Sequence, residues 1–136
     1  MTIPASVRRE VVHRAGNRCE YCGLSQAGQE AVFHVDHIRP VAAGGATARE
    51  NLALACVSCS LRKGARASAI DPESGQTVAL FHPRREVWRE HFRWDDALVQ
   101  GLTATGRATI AALRMNRPVA VALREEEAHW HRHPPP

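Results

Sequence analysis

Two C-x-x-C pairs constrain the fold of this chain more than any other feature. The pairs are Cys19–Cys22 and Cys56–Cys59, and they use all four cysteines of the sequence. Two thiolates three positions apart around a tight turn can both point at one ion, about 2.3 Å away. Gly23 directly follows the first pair and permits such a turn. The pattern predicts one structural zinc ion bound by Cys19, Cys22, Cys56 and Cys59, in a closed site without an open position for catalysis.

Disulfide bonds are the main alternative use of these cysteines. The N-terminal stretch from Met1 to Gly16 carries charges throughout and has no apolar run of the kind found in signal peptides. No apolar stretch approaches the length of a membrane span. We therefore expect a cytoplasmic protein without a membrane partner. Because disulfides are rare in that compartment, zinc is favoured over two disulfides or four unconnected thiols.

Length and charge narrow the choice of function. The chain has 136 residues and a net charge of +4, and its isoelectric point is about 9.3. This length predicts one ordinary domain, or a very small domain with an extension. A basic balance of this size permits a nucleic-acid partner but does not by itself require one.

The segment between the cysteine pairs is longer than in a short zinc ribbon, where about 15–20 residues is common. Residues 31–38 are rich in strand-forming side chains, and residues 52–55 form a second short apolar run. Gly44 and Gly45 mark a loop between these runs. A helix is expected from Val57 onward, carrying Leu61, Arg62, Lys63 and Arg66, with Gly64 as its weak point. The predicted order is strand, loop, strand, helix, with zinc holding both ends.

The remaining pattern predicts further elements on either side. A helix is expected over Pro4–Ala15, and Trp88, Phe92 and Trp94 are expected in the core of the C-terminal half. The predicted organisation is a core at 1–69, an extension at 70–128 and a disordered tail at 129–136. Within the extension, we expect strands at 77–81 and 98–102, and helices at 84–92, from Thr103 or Thr105 to Met115, and at 118–127.

The motif His34-Val35-Asp36-His37-Ile38-Arg39-Pro40 lies between the cysteine pairs. The carboxylate of Asp36 can hold Mg²⁺, which prefers oxygen ligands. The adjacent His37 can take a proton from water near neutral pH. His34 shares a strand face with Asp36. It either supports or ligates the metal, or it is an ordinary strand residue bonded to its neighbours, which is the more common case.

In this order, D-H-I-x-P, G-G, N-L and C-x-x-C resemble the HNH endonuclease family, the ββα-metal nucleases, over about residues 17–66. The resemblance implies an α+β fold: a ββα-metal (HNH) finger braced by the four-cysteine zinc site, with an N-terminal helix and a mixed helical C-terminal extension. The downstream sequence is similar to the C-terminal extension of a group of small bacterial HNH proteins.

The resemblance also implies a function, namely metal-dependent hydrolysis of DNA phosphodiester bonds. His37 matches the general base of the family, Asp36 matches a ligand of a single Mg²⁺ or Mn²⁺ ion, and Asn51 matches the residue that holds the base-bearing loop. Ser60 stands where the family has histidine or asparagine as the second metal ligand. Because a serine hydroxyl is a shorter and weaker ligand, the alternative is a catalytically weak or inactive zinc-dependent nucleic-acid-binding module.

Four basic side chains are candidates for contacts with DNA phosphates: Arg39, Arg62, Lys63 and Arg66. A basic helix face that is simply solvated is the common alternative. A third class of function is a protein-interaction domain in which the C-terminal extension binds a partner and the zinc element is a scaffold.

Overall fold

The computed structural model describes residues 2–136 of the chain. Five helices and six strands lie in this range. The predicted α+β class is therefore confirmed. The helices are α1 (Ala5–Arg14), α2 (Val57–Lys63), α3 (Trp88–His91), α4 (Ala104–Leu113) and α5 (Pro118–His129), and the strands are β1 (His34–His37), β2 (Leu52–Ala55), β3 (Ser68–Ile70), β4 (Thr77–Ala79), β5 (Phe92–Asp95) and β6 (Leu98–Gly101).

The strands form three separate antiparallel hairpins: β1 with β2, β3 with β4, and β5 with β6. In the first hairpin, Asp36 pairs with Ala53 and His37 pairs with Leu52. Helix α2 begins two residues after β2, so β1, β2 and α2 make the predicted ββα unit. Every residue of β2 is buried, because the strand lies between the rest of the unit and α1.

A tight turn at Gly23 precedes the ββα unit. Gly23 has a φ of +78°, and its amide donates to the Cys19 carbonyl at 3.0 Å. A Cβ atom at Gly23 would lie 2.9 Å from the ring of Trp94. Glycine is therefore required here both for its left-handed backbone and for the close approach of the C-terminal half.

A single apolar core joins the two halves of the protein. It contains side chains from the ββα unit together with Phe81, Phe92 and Met115 from the extension. Trp88 packs partly buried against this core, and its indole N–H donates to the Tyr21 carbonyl at 2.9 Å. The assignment of aromatic residues 88, 92 and 94 to the core agrees with these contacts. The boundary at residue 69 between the predicted core and the extension stays a prediction, because the two halves of the protein share one apolar core.

The structure corrects two predicted helices. Residues 84–92 form a helix only at α3, and Phe92 begins strand β5. The reason is tertiary packing, since Phe92 pairs with Gly101 of β6 and its side chain is buried. Helix α2 ends at Lys63, because Gly64 has a φ of +53°. Arg66 therefore lies beyond the helix.

The C-terminal residues contact the body of the protein, although the sequence of residues 129–136 predicts a disordered tail. The carbonyl of Arg132 accepts a hydrogen bond from Arg18 at 2.6 Å. The ring of His133 packs edge-on against Trp94, with centroids 4.7 Å apart. A buried arginine of α5, Arg124, donates to the Met115 carbonyl at 2.6 Å. Within residues 2–136, no helix has the length and apolar character needed to cross a membrane.

Candidate functional site

The four cysteines converge at one point between the N-terminal turn and α2. Their sulfur atoms all lie within 4.8 Å of one another, and the sulfurs of Cys22 and Cys56 are 3.7 Å apart. Tetrahedral zinc with bonds of about 2.3 Å requires neighbouring sulfurs about 3.8 Å apart. The backbone amides of Cys22 and Cys59 each approach a sulfur, of Cys19 and Cys56 respectively, at 3.4 Å. The cysteines are thus positioned to bind one metal ion, as predicted.

The chemistry of this cluster also suits a metal better than disulfides. All four cysteines are free and buried. Burial raises the pKa of Cys19, whereas hydrogen bonds from the other three thiols lower the pKa of Cys56. Several thiolates cannot coexist in so small a buried volume without a cation. Binding of a zinc ion must therefore release protons, which makes the metal affinity pH-dependent.

A groove of about 580 Å³ runs across the ββα unit on the side of β1 and the end of α2. Four of the residues singled out in the sequence line it: His34, Asp36, His37 and Ser60. Arg8 of α1 lines the same groove. The fold therefore brings Asp36, the candidate metal ligand, and His37, the candidate base, into one groove with Ser60 of α2.

Asp36 is held from behind by two partners. Its side chain is 9% exposed, and Oδ2 lies 3.1 Å from the ammonium of Lys63. The hydroxyl of Tyr21 donates to the same oxygen at 3.3 Å. Burial raises the pKa of Asp36, and the charge of Lys63 opposes that rise. Oδ1 has no hydrogen-bond partner among residues 2–136, so one carboxylate oxygen is anchored and the other is available.

His37 is held in a similar way. Its Nε2 lies 2.8 Å from the hydroxyl oxygen of Thr47, and its backbone carbonyl accepts a hydrogen bond from the Lys63 ammonium at 2.9 Å. Nδ1 has no hydrogen-bond partner within the described chain. When Nε2 carries the proton and donates it to Thr47, Nδ1 presents a lone pair.

Asn51 ties the loop between β1 and β2 to the end of β1. Its side-chain oxygen accepts from the Arg39 amide at 2.8 Å, and its side-chain nitrogen donates to the carbonyls of Arg39 at 3.0 Å and Ala46 at 2.8 Å. Gly45 makes this loop possible, because a Cβ atom there would lie 1.8 Å from the Arg39 carbonyl oxygen. The geometry agrees with a positioning role for Asn51 next to His37.

Ser60 and His34 contact each other across the groove. The Ser60 hydroxyl oxygen lies 2.9 Å from Nδ1 of His34. One residue comes from α2 and the other from β1. The sequence pattern alone does not pair them, since they are 26 positions apart.

Lys63, predicted to contact DNA, has a different role in the structure. It is 1% exposed and its ammonium is bonded to Asp36 and His37, so it is not accessible to a phosphate. A sequence signal for this burial exists: Lys63 follows the buried Cys59 by four positions and so shares its helix face.

The predicted arginines lie outside the groove. Arg39 and Arg66 are exposed and Arg62 is half-buried. Arg8 is the arginine that lines the groove, and its side chain makes no hydrogen bond or ion pair within residues 2–136. The sequence pattern did not mark Arg8 as a site residue, because its position on α1 indicated only a polar helix face. It did not mark Thr47 either, and nothing in the sequence pairs Thr47 with His37.

A comparison with protein families assigns the segment that contains both cysteine pairs and the ββα unit. The family model described as HNH endonuclease matches residues 19–66. Residues 19–66 are an HNH domain. The match begins at the first cysteine of the cluster and ends just after α2, so the HNH domain comprises both cysteine pairs and every residue that lines the groove except Arg8. No curated protein and no solved structure matches the chain. The HNH family is one of nucleases, which supports a nuclease or nucleic-acid-binding function for this chain.

Proposed function

We propose that this protein is a metal-dependent DNA endonuclease that hydrolyses phosphodiester bonds in the groove of its HNH domain. One observation carries the proposal. Asp36 and His37 are adjacent on β1, and in each side chain one polar atom is held by the protein while the other has no partner among residues 2–136. This arrangement supports a metal ligand beside a base.

The donor set of the groove suits a magnesium-type ion. Asp36 Oδ1 is an anionic oxygen, and Mg²⁺ commonly binds proteins through one or two carboxylates, with water and substrate phosphate completing the shell. Among the described residues, three or more His, Cys, Asp or Glu ligands come together only at the four cysteines. The groove therefore offers fewer than three such ligands to one ion, which suits an ion that keeps several waters. A bound Mg²⁺ or Mn²⁺ ion would neutralise charge on the scissile phosphate and on the leaving oxygen.

We assign proton transfer to His37. Its Nδ1 accepts a proton from the attacking water when the imidazole is neutral and Nε2–H donates to Thr47. Asn51 and Lys63 act as positioning residues, because Lys63 donates to the carbonyl of His37 and Asn51 holds the backbone of Arg39, two residues further along the chain. The bond from Lys63 to the His37 carbonyl and its ion pair with Asp36 couple the two groups.

The surface around the groove supports DNA as the substrate. Arg8 lines the groove and is a candidate phosphate contact. Arg39, Arg62 and Arg66 lie outside the groove and remain candidates for contacts with DNA phosphates farther from it. Contacts of this kind position DNA without reading its sequence, so low sequence specificity is expected. The zinc ion has a structural role in this scheme.

The test is cleavage of supercoiled plasmid by zinc-loaded protein with Mg²⁺ or Mn²⁺. We expect conversion to nicked circles by the wild type and loss of that activity in His37→Ala. The matched control is His13→Ala, because His13 is an exposed histidine on α1 that does not line the groove. Absence of cleavage by the wild type with every divalent ion would refute the proposal.

A second function, nucleic-acid binding without cleavage, is favoured by one observation. The Lys63 ammonium lies 3.1 Å from Asp36, and a cation at that distance competes with a metal for the carboxylate. A gel-shift assay separates the two functions. A binding module would retard DNA in a salt-dependent manner and leave the plasmid intact.

A further inference from the structure

His34 is the groove histidine to which the HNH pattern gives no role. It lies on β1 two residues before Asp36 and lines the groove with it. Side chains at such positions project from the same face of a strand, with about 6.8 Å between their Cα atoms. An ion between two side chains at this spacing is within reach of both.

The contact with Ser60 determines which histidine nitrogen is available. His34 Nδ1 lies 2.9 Å from the Ser60 hydroxyl, whereas Nε2 has no hydrogen-bond or ion-pair partner within residues 2–136. If Nδ1–H donates to Ser60, Nε2 carries a lone pair. Histidines that ligate metals almost always donate the other ring N–H to an acceptor in this way. Ser60 is such an acceptor.

We propose that His34 Nε2, rather than Ser60, is the second protein ligand of the divalent ion, together with Asp36 Oδ1. The inference rests on the proposed function, because it concerns the metal of that same groove. In this arrangement Ser60 orients the His34 ring. The family has a histidine or asparagine ligand on α2 where this chain has Ser60. In the proposed arrangement the imidazole of His34 on β1 takes the place of that ligand, and the domain keeps two protein ligands.

The test is Mn²⁺ binding to zinc-loaded protein in the absence of DNA. Isothermal titration measures the affinity, and pulsed electron paramagnetic resonance measures coupling of the ion to an imidazole ¹⁴N nucleus. We expect His34→Ala to weaken Mn²⁺ binding by more than the loss of about 10- to 100-fold that is typical when a ligand's outer-shell partner is removed, and to abolish the ¹⁴N coupling. Ser60→Ala should weaken binding less than His34→Ala does, and should retain the coupling, because the ligand itself remains.

Two further variants keep the result interpretable. His34→Gln preserves a polar side chain of similar reach without an imidazole, and should also lose the ¹⁴N coupling while it keeps stoichiometric zinc and the wild-type circular dichroism spectrum. His131→Ala removes an exposed histidine close to the C-terminus. It should leave Mn²⁺ affinity and coupling unchanged, which excludes His131 as the ligand.

The outcomes separate this inference from the proposed function. If the wild type binds Mn²⁺ and nicks DNA but His34→Ala binds Mn²⁺ equally well, His34 is an ordinary strand residue and the inference alone fails. It fails in the same way if Ser60→Ala loses more affinity than His34→Ala. If the wild type neither binds Mn²⁺ nor cuts DNA, both the inference and the proposed function are refuted.

Discussion

The buried pair of Lys63 and Asp36 allows a quantitative test of how the HNH domain holds its groove residues. Lys63→Met keeps the length and volume of the side chain but removes its charge. Asp36 then stays in a site where its side chain is 9% exposed, with Tyr21 as its remaining hydrogen-bond donor. Breaking a buried ion pair by removing one partner typically costs about 3–5 kcal/mol. We expect the free energy of unfolding to fall by that amount.

The corresponding shift in melting temperature follows from chain length. An unfolding entropy of about 2.1 cal/mol/K per residue, over 136 residues, makes 1 kcal/mol equivalent to about 3.5 °C. The expected loss for Lys63→Met is therefore about 10–17 °C, measured by thermal denaturation of the zinc-loaded protein. Arg62→Met is the matched control. It removes a neighbouring, half-buried cation with one side-chain bond, to Ser58, and should cost less than about 1 kcal/mol.

The effect of Lys63→Met has a defined pH dependence. Burial raises the pKa of Asp36, and Lys63 is the largest influence that opposes the rise, so the variant raises this pKa further. A carboxyl whose pKa is raised in the folded state loses stability as the pH increases from its unfolded pKa, about 3.9, through the folded value. The gap between variant and wild type should therefore be larger at pH 8 than at pH 5.5.

A second substitution, Asp36→Asn, removes the carboxylate that Lys63→Met leaves unpaired. Asp36→Asn/Lys63→Met has no buried charge at this site and should recover at least half of the stability lost in Lys63→Met. The explanation is wrong if Lys63→Met melts within about 2 °C of the wild type, or if the double variant is no more stable than Lys63→Met.

Three further predictions concern the metal cluster and the loop. Cys59→Ser should lose stoichiometric zinc, measured by metal analysis, and unfold the HNH domain by circular dichroism; a folded variant that cuts DNA normally would contradict a structural role for the cluster. Asn51→Ala removes three side-chain hydrogen bonds and should lower plasmid nicking at least tenfold with Mn²⁺ affinity unchanged; normal nicking would exclude its positioning role. Thr47→Val should lower the nicking rate about tenfold, equivalent to about 1.4 kcal/mol of barrier, whereas Thr47→Ser should stay near wild type. Equal rates for the two Thr47 variants would show that its hydroxyl does not orient His37.

Much of the C-terminal half depends on contacts that local patterns do not contain. Residues 84–92 have the composition of a helix, yet Phe92 starts a strand because β6 offers it a partner and the core buries its ring. The tail after α5 is polar and proline-rich, yet it contacts Trp94 through His133. Propensity is a weak determinant when tertiary packing opposes it.

The sequence by itself determined the four-cysteine cluster and the order of the ββα unit. Both are local: a C-x-x-C turn aims two sulfurs at one ion whatever surrounds it, and Asp36 and His37 are neighbours along one strand. Tertiary structure alone decided which groups these residues meet. Lys63 lies beneath Asp36 and Ser60 lies beside His34 because α2 packs across β1. Contacts formed when a helix packs on a strand leave no periodic pattern in the sequence, so the tertiary structure alone determines these partners.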